Sequence, residues 1–135
     1  MSLTTIFNKL IEQESYSLEF DDFTSCLVMY PAALVAIADG DFGPFERVNI
    51  ISALKEATGG NELKSFEMYR LLTDLLKYSE DEKNELLSAM KDALAESAEN
   101  KLVILELMIS TAEAEDGISE IEKIAIDNLK TTLSI

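Results

Sequence analysis

Two short acidic stretches hold the side chains best suited to chemistry. The first runs Ala36-Ile37-Ala38-Asp39-Gly40-Asp41-Phe42-Gly43-Pro44-Phe45-Glu46, and the second runs Ala112-Glu113-Ala114-Glu115-Asp116-Gly117-Ile118-Ser119-Glu120-Ile121-Glu122. Asp39, Asp41 and Glu46 in one, and Glu115, Asp116 and Glu122 in the other, offer carboxylate oxygens beside the open carbonyls of a preceding helix end. Such oxygens suit a hard cation, and Ca²⁺, Mg²⁺ or Mn²⁺ is the ligand class they fit. One turn alone is an incomplete cage, because Ca²⁺ takes about six to eight oxygens and Mg²⁺ an octahedron completed by water. Neither stretch is an EF-hand loop, whose last carboxylate lies about eleven residues after its first, whereas Glu46 follows Asp39 by seven.

Every part of these stretches also has a structural use. Gly40 and Gly117 suit a backbone reversal after a helix, where positive φ costs glycine little. Phe42 and Ile118 plug the turn into a core. Ser119-Glu120-Ile121-Glu122 is a capping box, and Gly43-Pro44-Phe45-Glu46 is its counterpart with proline at the first helical position. On this reading Glu46 and Glu122 are caps contributing about 1 kcal/mol each. Two registers relate the copies. Aligned without a gap, Asp39 meets Glu115 and Glu46 meets Glu122. With Asp39-Gly40 set on Asp116-Gly117, the second turn is one residue shorter.

The elements that must hold these turns are helices. Apolar residues recur at three- and four-residue spacing almost throughout, without β-branched alternation, and predict an all-α domain of about seven helices and no sheet. The first, about Leu3 to Gln13, stacks Leu3, Ile6, Phe7, Leu10 and Ile11. The second is capped by Asp21 or Asp22, runs to about Ala38 and is apolar nearly all round from Cys26, so it is expected at the centre with Pro31 kinking it or delaying its start. A third runs from Pro44 to about Ala57 and ends at Gly59-Gly60. A fourth, starting at Asn61 or Ser65 and reaching Tyr78, stacks Met68, Leu71, Leu72, Leu75 and Leu76. Ser79 and Glu82 box the start of a fifth helix carrying Leu86, Leu87, Met90 and Leu94. The sixth, about Asn100 to Ala114, is apolar on most sides and is expected as a second central helix. The seventh, from Ser119 to about Leu133, is expected to turn Ile121, Ile124, Ala125 and Leu129 inward. Two apolar helices, each followed by an acidic turn and an amphipathic helix, suggest an internal duplication, repeat one at about 21–58 and repeat two at about 99–133, within one domain spanning 1–135.

Composition narrows the functions. Hydrophobic residues are 47% and charged ones 27% of the 135, the balance of a chain that folds by itself. Eleven Lys and Arg against 26 Asp and Glu give a net charge of −15, a field that repels nucleic acid and anionic membranes and attracts divalent cations or a basic protein surface. There is no histidine, so imidazole bases, His-activated nucleophiles and imidazole metal sites are excluded. Paired carboxylates can work as acid and base without histidine. Such enzymes need aromatic or basic clefts, however, and this chain has no Trp, no Gly-rich phosphate loop and only Arg47 and Arg70 as arginines. No catalytic residue is assigned. The lone Cys26 sits among apolar residues and suits a reducing cytoplasm. The longest apolar run, Cys26 to Ala38, is 13 residues and too short to span a bilayer, and no basic region leads into an apolar stretch as in a signal peptide. Glu106 and Glu113 share a face of the sixth helix; they form a solvated stripe or line a cleft with the acidic turns.

The pattern of an Ala-rich apolar helix, Ala-x-Asp-Gly, an apolar residue two positions on and a Glu opening the next helix resembles the tellurite-resistance TerB-like family. It is carried by Ala36 to Glu46 and echoed by Ala112 to Glu122, and the likeness extends over most of 21–133. The resemblance implies an all-α fold of two similar halves, a cytoplasmic bacterial setting, and a non-enzymatic role in tellurite or metal stress as part of a larger assembly. A related module heads some membrane-anchored co-chaperones, which implies a protein partner. The suspected ion-binding carboxylates carried over are Asp39 and Glu46, and Asp116 and Glu122. The second copy departs from the pattern, with Glu115 where Asp is usual or a loop short by one.

Overall fold

A computed structural model describes residues 2–14, 16–38, 44–113 and 117–135, with the side chains of Glu14, Phe45 and Glu46 outside that description. The described residues form seven α-helices and no strand: α1 (Leu3–Glu14), α2 (Phe20–Ala36), α3 (Pro44–Ala57), α4 (Glu62–Leu75), α5 (Glu80–Leu94), α6 (Ala98–Ala112) and α7 (Glu120–Leu133). The all-α class follows from the sequence periodicity.

Local chemistry sets most boundaries. At α5 the Ser79 N–H donates to Glu82 Oε1 at 3.1 Å and the Glu82 N–H to Ser79 Oγ at 3.3 Å, so two donors at the helix start are satisfied reciprocally. Asn61 caps α4 by accepting from the Lys64 N–H at 3.0 Å. After α3, the Gly60 N–H reaches Lys55 O at 2.9 Å and the Gly59 N–H reaches Glu56 O at 3.2 Å. Both glycines have positive φ, 65° and 87°, which completes a left-handed stop.

Several starts and stops differ from expectation, and α4 ends at Leu75 instead of reaching Tyr78. α2 is capped from Glu19, with Asp22 in the third helical position accepting the Glu19 N–H at 3.0 Å; neither Asp21 nor Asp22 is the cap itself. It ends at Ala36, two residues early, and it runs through Pro31 instead of starting after it. α6 starts at Ala98 because Ser97 caps it, accepting from the Asn100 N–H at 3.3 Å.

α2 is the centre. It packs against α1, α3, α4, α6 and α7, most extensively against α6, and buries Phe23, Cys26, Tyr30, Ala33 and Val35 completely. The predicted stripes of α4 and α5 are buried as well, Leu72, Leu75 and Leu86 without exposure. The link before α2 is fastened to α4. The Tyr16 hydroxyl donates to Asp74, the Ser17 N–H donates to Glu67 Oε1 at 2.7 Å, and the Arg70 guanidinium lies 4.6 Å from the Tyr16 ring centroid.

α6 and α7 correct the sequence reading. α6 buries Ile104, Met108, Thr111 and Ala112 against the core but leaves Leu102, Val103 and Ile109 exposed, so it is a flank of the bundle with one open face. On α7, Ile121 and Ile124 are 53% and 55% exposed. The inward stripe is Glu122, Ile126, Leu129 and Leu133, with Ala125 at its edge. Glu122, folded back on the Ser119 amide, shares the inward side with Ile126, Leu129 and Leu133, and the helical period then leaves Ile121 and Ile124 facing solvent.

Candidate functional site

The second acidic stretch is described from Gly117 onward. α6 closes at Glu113, whose N–H donates to Ile109 O at 3.0 Å. Gly117 has φ 90°, a conformation that side-chain-bearing residues rarely adopt, which gives the expected reversal its physical basis. Ile118 packs against the core, as expected of an apolar plug. The Ser119 N–H then donates to Glu122 Oε1 at 3.0 Å, and the Glu122 N–H to Ser119 Oγ at 3.2 Å.

Glu122 is the one sequence-predicted site residue whose side chain is described, and it is 5% exposed. A buried carboxylate is costly unless hydrogen bonds or a positive field compensate it. Here the Ser119 amide and the N-terminal end of α7 supply both. No Lys or Arg among the described residues forms an ion pair with it. Asp39, Asp41, Glu115 and Asp116, with the Glu46 side chain, lie outside the described residues, as do Gly40 and Phe42. Among the described residues no three carboxylates or thiolates gather closely enough to hold a metal.

Glu106 and Glu113 are exposed on the outward side of α6. Their exposure is that of a solvated stripe, and neither lines the cleft at the end of α2. That cleft, about 420 Å³, lies where the end of α2 meets the first half of α5 and the C-terminal half of α7, and Ala38, Glu80, Lys83, Asn84, Asn128 and Thr132 are among its walls. Glu80 and Lys83 pair across one helical turn at 3.0 Å. Just before the second turn, Asn49 Nδ2 donates to Thr111 Oγ1 at 3.0 Å, tying α3 to α6 at a buried hydroxyl. Sequence reasoning had no signal for Asn49 or Thr111, because residues 62 apart in the chain meet only through the packing of α3 on α6.

Burial controls the remaining reactive groups. The Cys26 thiol is fully enclosed and pushed up to about 12 by desolvation, so it stays protonated and unreactive, with Sγ set 3.3 Å from Met68 O. Tyr30 is raised above its usual 10.0 by burial, and Tyr78 and Glu80 add to the shift.

The cap makes a graded prediction. Glu122→Gln keeps an acceptor for the Ser119 N–H and should leave stability within about 0.5 kcal/mol, whereas Glu122→Ala and Ser119→Ala should each lose about 1 kcal/mol. Urea unfolding of the three variants checks this ordering, and equal losses for Gln and Ala would contradict a capping role. No helix among the described residues is long and apolar enough to cross a membrane. No family model, curated protein or solved structure matches the chain.

Proposed function

We propose that this chain is a non-enzymatic module of the TerB-like kind, acting in a bacterial tellurite or metal stress response by binding another protein, with its acidic turns serving to reverse the chain and start helices. The observation that carries this reading is Glu122: a candidate metal-ligating carboxylate is buried and engaged with the backbone of its own helix start. The packing of α2 on α6, each followed by an acidic stretch and a further helix, is what two similar halves would produce. An enclosed, protonated Cys26 suits a cytoplasmic setting. Exposed apolar residues on α6 supply the kind of surface a partner covers. Chemical crosslinking with the purified chain as bait in bacterial lysate tests the proposal. One or a few proteins in stoichiometric yield, lost at high salt, are expected. No capture at low salt, together with turnover in a hydrolase panel that Glu46→Gln abolishes, would overturn it.

A second reading has its own observation. Glu122 is a buried carboxylate with no cationic partner among the described residues, seven and six residues after Glu115 and Asp116. A divalent ion held by Glu115, Asp116 and Glu122, with Asp39, Asp41 and Glu46 forming the companion site, would neutralise it. Millimolar Ca²⁺, Mg²⁺ or Mn²⁺ would then raise the melting temperature, and Glu122→Gln would remove the increase. A melting temperature indifferent to all three ions leaves the capping role alone.

A further inference from the structure

We infer that the outward face of α6 is a docking strip for a basic amphipathic helix of a partner protein, a proposal that rests on the interaction reading and names the partner's chemistry. Glu99, Glu106 and Glu113 recur every seven residues and so form one column along the helix. Leu102 and Ile109, with the same spacing, run beside it on one side, and Val103 and Ser110 run beside it on the other. All seven are solvent-exposed, Leu102 to 55%. The opposite side of α6 is occupied by its packing on α2 through Ile104, Met108 and Ala112.

Three large aliphatic side chains on the open side of one helix are not required by the fold, and a seven-residue repeat matches the period at which a second helix presents its own side chains. The glutamate column sets the sign of that helix. A partner carrying Lys or Arg opposite Glu99, Glu106 and Glu113, and Leu or Ile opposite Leu102 and Ile109, satisfies both columns together. A second copy of this chain does not fit, since it would lay glutamates on glutamates between two bodies of net charge −15.

The test uses the intact, isotope-labelled chain and two synthetic helical peptides of about three heptads, alike except that one carries Lys and the other Glu beside a Leu column. The Lys peptide should shift backbone amides from Glu99 to Glu113 and the Glu peptide should not. Leu102→Ser with Ile109→Ser should weaken the Lys peptide by about tenfold or more. Changing Glu99, Glu106 and Glu113 to Lys should reverse the preference between peptides. These positions are exposed, so circular dichroism should show an unchanged fold. Shifts scattered over the whole acidic surface and insensitive to both variants, or equal binding of the two peptides, would overturn the proposal. Crosslinked partners captured equally by the parent chain and the α6 variants would overturn this surface while leaving the interaction reading intact. Silent titrations with no captured partner would overturn both.

Discussion

Phe23→Ala should cost the fold about 3 to 5 kcal/mol, read as a lowered urea midpoint with an unchanged slope. Phe23 is without exposure on α2, its ring centroid 5.3 Å from that of Phe7 on α1 and 6.1 Å from that of Phe20. Removing the ring loses its transfer free energy and leaves a void that α1 and α2 cannot both close, because α2 is also held by α3, α4, α6 and α7. Domains of this size have about 5 to 15 kcal/mol in total, so one substitution removes a large share. Phe20→Ala is the control: that ring is 37% exposed at the helix start, and its loss should cost far less. Equal costs would mean that α2 does not occupy the centre. Met108→Ala, also without exposure, should cost about 2 to 5 kcal/mol and reports the seam between α2 and α6.

Alkaline pH should unfold the protein in two steps of increasing steepness. In the folded chain Cys26 is raised from 9.0 to about 12 by burial, and Tyr30 is raised above 10.0, chiefly by burial and further by Tyr78 and Glu80. Each group therefore contributes stability that is fully present below its unfolded value and is lost as pH rises toward its folded one, because the unfolded chain releases the proton first. Above pH 9.0 the thiol should reduce the unfolding free energy by about 1.4 kcal/mol per pH unit, and above 10.0 the phenol should add a similar slope. Cys26→Ala should remove the first step and Tyr30→Phe the second, in urea melts taken across the alkaline range. Tyr30→Phe should be tolerated at neutral pH, since the Tyr30 hydroxyl is buried without a hydrogen-bond partner among the described residues. A stability that stays level through pH 11 would show that both groups reach solvent.

Features encoded within four or five residues could be read from the sequence directly. Ser79 with Glu82, Ser119 with Glu122, and Gly59-Gly60 act through hydrogen bonds between near neighbours, so residue type and spacing suffice to place them. Features set by which neighbour covers a helix could not. The apolar content of α6 suggested enclosure, yet Glu106 and Glu113, seven residues apart, lie on the side that is exposed. On α7, hydrophobicity favoured Ile121 and Ile124 as inward residues, whereas packing on α2 and α5 buries the side that carries Glu122, Ile126, Leu129 and Leu133. α2 begins earlier than its aspartates suggested because Asp22 serves from inside the first turn. For the acidic stretches, spacing identified the capping glutamate of the second and the glycine that reverses it, Glu122 and Gly117.

The most direct test of the acidic stretches as helix-starting structure is titration calorimetry with Ca²⁺, Mg²⁺ and Mn²⁺ on the parent chain and on Glu122→Gln, side by side. If the carboxylates serve only the backbone, both proteins should give the same weak, non-saturating heats, as expected for counterions screening a net charge of −15. A saturable site in the parent chain that disappears in Glu122→Gln would contradict this and make Glu122 a metal ligand.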